Sequence, residues 1–166
     1  GSGVAADLRV QYATVDVHDG QFINSPGDGI LGDDASGQGN VNIYDTSFSN
    51  NQGYAVNFQD GSVNPILQNL TASGNGASLG YTGDVVYVND DTLVGNHTWE
   101  YMGLPYLILQ TYVAPGSMLT IEPDVQVLAF PANNGLDVQG TLIANGAADQ
   151  IIHFDPFTPT LGWSGI

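Results

Sequence analysis

The sequence is almost without basic side chains. Its 166 residues contain one arginine, Arg9, no lysine and 17 acidic residues, which gives a formal net charge of -16 at pH 7. A field of this sign repels nucleic-acid phosphates and anionic lipid headgroups. We therefore expect neither nucleic-acid binding nor membrane insertion.

Cysteine and long apolar runs are also missing. The absence of cysteine excludes a disulfide framework and thiolate metal sites. No apolar run approaches the roughly 18 residues typical of a membrane span. Only 11% of the residues are charged, so uncharged polar side chains must share in keeping the surface soluble. This mixture suits a secreted protein at an extracellular cell surface, and the length suits a single domain over residues 1–166.

Short apolar alternations are present instead of helical periodicity. No window of twelve or more residues shows the i, i+3, i+4, i+7 pattern, and 22 glycines interrupt the chain throughout. The alternations predict strands of about three to five residues. They lie at residues 8–12, 41–44, 54–58, 85–88, 119–121 and 136–138. The sequence thus predicts an all-β fold.

The starts of these strands recur at long intervals. They lie at Gly29, Gly53, Asp84, Leu104, Gly135 and Trp163. Intervals of about 18 to 32 residues are typical of solenoids, in which each coil pairs with the coils about 4.8 Å above and below it. Asparagines fall at the expected corners, at positions 50, 51, 75, 133 and 134. They either bond one another in a ladder or are ordinary loop residues.

Four segments carry a resemblance to a known family. Residues 116–125, 135–146, 151–154 and 162–166 resemble the recurring phrase of the right-handed parallel β-helix repeats of secreted bacterial and archaeal surface proteins, within the pectate-lyase-like β-solenoid superfamily. The resemblance implies a single-stranded right-handed parallel β-helix of about six to seven coils with open ends. It says little about function, because this fold carries lyases, hydrolases, adhesins and structural proteins.

The residues argue against catalysis. Lyases of this fold use an arginine or lysine as base, and we expect the lone Arg9 to pair with a nearby carboxylate such as Asp7. Hydrolysis needs carboxylates about 5 to 9.5 Å apart. The pairs Asp33-Asp34 and Asp90-Asp91 would point to opposite faces of a strand. We therefore expect no enzyme, and a glycan-cleaving enzyme ranks third among the candidate functions.

The two ends predict assembly. Trp163 opens a coil that the N-terminus of a second copy would continue, and neither end has a sequence typical of a solenoid cap. A repeating interface that does not close generates a filament. We expect a structural subunit or repeat of an extracellular filament or surface array, stacked head to tail on copies of itself; the alternative is that the two ends are arbitrary boundaries. The predicted interface joins Gly3, Val4, Leu8, Val10 and Tyr12 to Trp163, Ser164, Gly165 and Ile166.

No cofactor is required by the sequence, and calcium is the one candidate. Five aspartates crowd one region and offer the oxygen ligands that hard cations take. They are Asp16, Asp19, Asp28, Asp33 and Asp34. The alternative is that they are solvated turn residues.

The second candidate function is a calcium-assisted adhesin or a module that binds neutral glycan. Aromatic residues cluster between Tyr81 and Tyr112, where they suit a core, an interface or a sugar-binding face. Trp99 and Tyr101 are the predicted glycan contacts. Asn69 and Asn96 each begin an N-x-T triplet, the pattern of glycosylation acceptors.

Overall fold

The protein is a parallel β-solenoid of about six turns. The computed structural model describes residues 6–33, 40–59, 64–89, 91–130 and 135–158, and in these ranges it contains strands and no helix. No helix suited to crossing a membrane therefore occurs in the described ranges. The strands are β1 Ala6–Val10, β2 Thr14–His18, β3 Gln21–Ile23, β4 Asp28–Gly32, β5 Asn40–Tyr44, β6 Ser47–Ser49, β7 Val56–Phe58, β8 Leu67–Gln68, β9 Thr71–Ser73, β10 Val86–Val88, β11 Asp91–Leu93, β12 Asn96–Trp99, β13 Tyr106–Ile108, β14 Thr111–Val113, β15 Met118–Ile121, β16 Gln126–Ala129, β17 Leu136–Val138, β18 Thr141–Ala144 and β19 His153–Pro156.

The strands stack in faces that follow the solenoid axis. One face is a seven-stranded parallel sheet in the order β1-β4-β7-β10-β13-β16-β19, and the other strands form four parallel sheets of three. Every paired couple of strands is three positions apart in the chain, so one turn of the solenoid takes three strands, although β8 does not pair with β11 and β9 does not pair with β12. The prediction of an all-β solenoid is confirmed.

Successive turns differ in length. Leu8 pairs with Ile30, Ile30 with Val56 and Val56 with Val86, so these turns take 22, 26 and 30 residues. From Val86 the paired positions continue to Tyr106, Val127 and Phe154, which gives turns of 20, 21 and 27 residues. The strands keep their register, and the connecting corners take up the difference.

Because the turns differ in length, one predicted strand start leads into a different sheet from the others. The predicted starts at Gly29, Gly53, Asp84 and Leu104 all lead into the seven-stranded sheet. Gly135 instead precedes β17, which belongs to the sheet β11-β14-β17. The strand that follows β13 in the large sheet is β16, which no glycine introduces. The start predicted at Trp163 lies outside the described residues.

The interior is a column of stacked apolar side chains. Ile30, Val56, Val86, Tyr106 and Val127 occupy paired positions on neighbouring strands and are all buried. Strands this short bury an apolar face only because like positions stack on one another. The outer face of the seven-stranded sheet is also covered in its middle turns, by a second cluster around Tyr54, Val85, Tyr87 and Leu107.

Two corner asparagines form an internal ladder. The Asn51 side-chain oxygen accepts the backbone N–H of Ser25 at 2.9 Å, and the Asn75 side-chain oxygen accepts the backbone N–H of Asn51 at 3.1 Å. Both side chains are buried. Asn50 instead takes the left-handed backbone conformation at its corner, with φ 56°. Of the two alternatives that the sequence allowed, the hydrogen-bonded ladder is correct for Asn51 and Asn75. Positions 133 and 134 lie outside the described residues.

Candidate functional site

Each end of the described solenoid presents a strand edge. β1 pairs with one neighbour, β4, and β19 pairs with one neighbour, β16. Core residues of the two terminal turns are only partly buried, although they pack against the main cluster. At the N-terminal turn these are Leu8, Val15, Val17 and Phe22, and at the C-terminal turn Val138, Leu142, Ile152 and Phe154. Both ends therefore combine a strand edge with an accessible part of the apolar interior.

The predicted assembly residues are described only in part. Leu8 and Val10 lie on the edge strand β1, where Leu8 is partly buried and Val10 is buried. Tyr12 follows β1 with an exposed side chain and a left-handed backbone, φ 55°. The remaining predicted positions, Gly3, Val4, Trp163, Ser164, Gly165 and Ile166, lie outside the described residues.

Arg9 pairs with a carboxylate of the next turn. Its guanidinium donates to Asp33, which also accepts a hydrogen bond from Gln11 Nε2 at 2.9 Å. The prediction of a partner such as Asp7, two residues back on the same strand, is wrong. The register partner of Arg9 is Leu31, and Asp33 lies two residues farther along the next turn. The long Arg9 side chain therefore reaches diagonally across to the adjacent turn, and 42% of it remains exposed.

The aspartates predicted to bind calcium have separate partners. Asn42 Nδ2 donates to Asp16 Oδ1 at 2.7 Å, Asp33 pairs with Arg9, and Asp19 takes a left-handed turn conformation with φ 50°. Asp34 lies outside the described residues. Within the described part of the chain, no group of three or more histidine, aspartate or glutamate side chains is arranged to hold a metal ion. Calcium binding by these aspartates stays a prediction without geometric support.

Asp28, the remaining candidate ligand, is buried inside the fold. It accepts the backbone N–H of Tyr54 at 2.8 Å and the side-chain N–H of Asn57 at 2.9 Å. Burial raises the pKa of Asp28, and the two hydrogen bonds oppose that rise. The side-chain oxygen of Asn57 is buried without a hydrogen-bond partner. Asp28 thus acts as a structural link between β4 and β7.

The two predicted glycan contacts have opposite surroundings. Trp99 is 6% exposed and stacks on Tyr106 with a ring-centroid distance of 4.9 Å and an interplanar angle of 12°. Its ring belongs to the core and offers no free face to a sugar. Tyr101 is 62% exposed. Of the two, Tyr101 alone retains the accessibility that a glycan contact needs.

Tyr101 lines a groove on the flank of the solenoid. The groove has a volume of about 690 Å³ and lies at the corner that leads into the seven-stranded sheet. Three successive turns supply its lining, which comprises Tyr101, Gly103, Leu104 and Pro105, then Asp124 and Gln126, then His153 and Asp155. Gln126 Nε2 donates to Asp155 Oδ2 at 3.1 Å, which fixes two of the polar groups. The groove was not predicted from the sequence, because its residues are spread over more than 50 positions of the chain.

Glycine is required at the turn beneath this groove. Gly103 has φ 96°, and a Cβ at this position would lie 2.5 Å from the carbonyl oxygen of Leu70. The backbone therefore approaches the turn below more closely than any other residue would allow. This close approach sets the position of the segment that carries Tyr101.

The predicted glycosylation sites both lie on the surface. Asn69 is exposed, has φ 53° and donates through its side chain to Asp45 Oδ1 at 2.9 Å. Asn96 is exposed as the first residue of β12. Modification at either position stays a prediction.

Comparison with known proteins adds no relative. No family model matches this chain, and neither a curated protein nor a solved structure does. The parallel β-solenoid stands on the structure itself, whereas membership of a particular surface-protein family does not.

Proposed function

We propose that this chain is a structural unit of an extracellular β-solenoid rod, in which copies stack head to tail. The observation that carries the proposal is the character of the two described end turns. Each offers the edge of a parallel strand together with half-buried core side chains, such as Leu8 at one end and Phe154 at the other. Continued strand pairing would satisfy edge groups and bury apolar surface in the same step.

The geometry of such stacking favours a rod. All strand pairs are parallel and follow one axis, so the two ends are different surfaces that meet in a head-to-tail contact. A contact of this kind repeats without closing unless a rotation brings it round to a ring. The net charge of -16 would keep neighbouring rods apart laterally. The composition, with few charges and many small polar residues, supports an extracellular location.

Electron microscopy and sedimentation velocity of the full chain test this proposal. We expect rods that lengthen with protein concentration, with an axial repeat of about 34 Å per unit, because the seven strands of the large sheet give seven spacings of ~4.8 Å once the joint is counted. Replacing Leu8 by aspartate should shorten the rods, because it places a charge in the apolar joint. The matched control is Val94→Asp, at an exposed position remote from both ends. Dispersed monomers of folded wild-type protein at every concentration would refute the proposal.

A second candidate function is the binding of neutral glycan in the flank groove. The specific observation is the combination of the exposed Tyr101 ring with hydrogen-bonding groups of Asp124, Gln126 and Asp155. Pockets for polar ligands combine apolar surface with a few convergent polar groups, and the negative charge of the chain disfavours acidic sugars. Glycan-array binding that disappears in Tyr101→Ala and survives in Tyr12→Ala, another exposed tyrosine, would support this function. Equal loss in both variants would count against the groove.

A further inference from the structure

The register of the seven-stranded sheet is continuous from its first strand to its last. Following the paired positions leads from Arg9 through Leu31, Asn57, Tyr87, Leu107 and Leu128 to Asp155. The one arginine of the chain thus stands at one end of a side-chain column, and a carboxylate stands at the other end. Leu31, Asn57, Tyr87 and Leu107 are buried and Leu128 is partly buried, and the charged members of the column lie on the two edge strands.

The neighbouring columns match in the same way. One joins Leu8 to Phe154 and is apolar throughout, and the next joins Val10 to Pro156. Asp7 and His153 are the residues that precede Leu8 and Phe154. Three consecutive positions on each edge strand, 8–10 and 154–156, are therefore complementary in charge or in apolar character.

We infer that the joint between copies is formed by β1 of one copy pairing in parallel with β19 of the next, with Leu8 opposite Phe154 and Arg9 opposite Asp155. The inference rests on the proposed function, and it names the partner as a second copy of this chain. It also moves the C-terminal side of the joint to residues 153–156. The register then continues across the joint as it does between the turns of one copy.

Alternative registers lose this complementarity. A slip of one residue would place the inward Leu8 against His153 and the outward Arg9 against Phe154, because successive side chains of a strand point to opposite faces. A slip of two residues in one direction would bring Arg9 next to His153. Only the inferred register satisfies the apolar and the charged positions together.

The hydrogen-bonding capacity at the joint is sufficient. A guanidinium has five N–H donors, so Arg9 can bond a second carboxylate while it keeps Asp33. Asp155 accepts one hydrogen bond from Gln126 and has further acceptor capacity. An Arg9 between Asp33 and Asp155 would also offset repulsion between copies that each carry a charge of -16.

Two charge-reversed variants test the register, first separately and then mixed. Asp155→Arg alone would place two arginines at every joint, and Arg9→Asp alone would place two carboxylates there. In an equimolar mixture the two variants could alternate along a rod, and every joint would then pair an arginine with an aspartate. We expect each variant alone to need a roughly tenfold or higher concentration to form rods, and the mixture to return to within about threefold of wild type. Glu122→Arg, at an exposed site between the ends, controls for the change of +2 in net charge that Asp155→Arg makes.

The outcomes separate this inference from the proposed function. Wild-type rods, weak assembly of each variant and recovery on mixing would support the register. Rods of undiminished length from both variants would overturn the register and leave the stacking proposal standing. The same conclusion would follow if the mixture did not recover although circular dichroism showed that both variants were folded. Absence of rods from the wild-type chain would remove the stacking proposal itself.

Discussion

Removing the side chain of Asn75 tests what holds the solenoid corners together. Asn75 is 4% exposed, and its side-chain oxygen accepts the backbone N–H of Asn51 at 3.1 Å. Its side-chain nitrogen donates to the Phe48 carbonyl at 3.1 Å and to Asp84 Oδ1 at 2.6 Å. Asn75→Ala would therefore break bonds to the turn below and to a carboxylate on its own turn.

The expected loss follows from the groups left behind. A buried N–H without a partner, here that of Asn51, costs about 1–3 kcal/mol, and a hydrogen bond to a charged group such as Asp84 contributes about 1.5–3 kcal/mol. The Phe48 carbonyl loses one donor as well. We expect Asn75→Ala to lower the free energy of unfolding by about 3–5 kcal/mol, a large part of the usual 5–15 kcal/mol for a domain.

Urea unfolding followed by circular dichroism measures this loss. Asn64→Ala is the matched control, because Asn64 is exposed and donates one bond of 3.3 Å to the Asn96 carbonyl; we expect a change within about 0.5 kcal/mol. Asn75→Asp keeps the acceptor for Asn51 but puts a second carboxylate beside Asp84, so its destabilisation should be relieved at acid pH. A loss below about 1 kcal/mol for Asn75→Ala would refute the ladder as a source of stability.

Three further substitutions test single buried or paired groups. Burial raises the pKa of Asp28, so the native state binds more protons than the unfolded chain, and the free energy of unfolding should fall as pH rises from about 3.8 to the raised pKa. Asp28→Asn should remove this fall. The Asn57 amide would then turn and offer its unpaired oxygen to the new side-chain N–H. A pH profile of urea midpoints that is unchanged in Asp28→Asn would contradict this. Thr111→Val should be neutral or stabilise by up to about 1 kcal/mol, since the buried Thr111 hydroxyl has no hydrogen-bond partner; a clear loss in thermal unfolding would reveal a partner. Burial, and then the charge of Glu122, raise the pKa of Glu100, so Glu122→Gln should lower that pKa in an NMR titration, and an unchanged value would mean that burial alone sets it.

The architecture was predictable because its signals are local. Three-residue alternations such as Tyr54-Ala55-Val56 and the glycines that precede them are visible in any short window, and their recurrence indicates stacked turns. The sheet to which a strand belongs, in contrast, could not be predicted from a short window of sequence. With turns of 20 to 30 residues, nothing near Gly135 shows that the chain has already passed the large sheet at β16.

The candidate sites were less accessible to sequence reasoning. Trp99 and Tyr101 are two positions apart and chemically alike, yet one is in the core and the other is in solvent, because the chain leaves β12 between them. The flank groove and the column from Arg9 to Asp155 depend on register across several turns. The strands keep their register while the corners vary in length, so the spacing of residues in the sequence does not show which of them are paired.

The response of assembly to salt distinguishes the proposed joint from one that needs calcium. Salt screens the repulsion between two copies of charge -16 at separations beyond the Debye length, about 8 Å at physiological ionic strength, whereas the Arg9–Asp155 pair would act at contact and is screened less. Sodium chloride should therefore promote rods up to moderate concentrations, and calcium chloride at equal ionic strength should do no more. Light scattering across both titrations, with Asp16→Asn as a variant that removes a predicted calcium ligand, makes the comparison. Suppose that rods form at low millimolar calcium, do not form when sodium replaces calcium, and are lost in Asp16→Asn. Metal binding, and not charge screening with a matched register, would then bring the copies together.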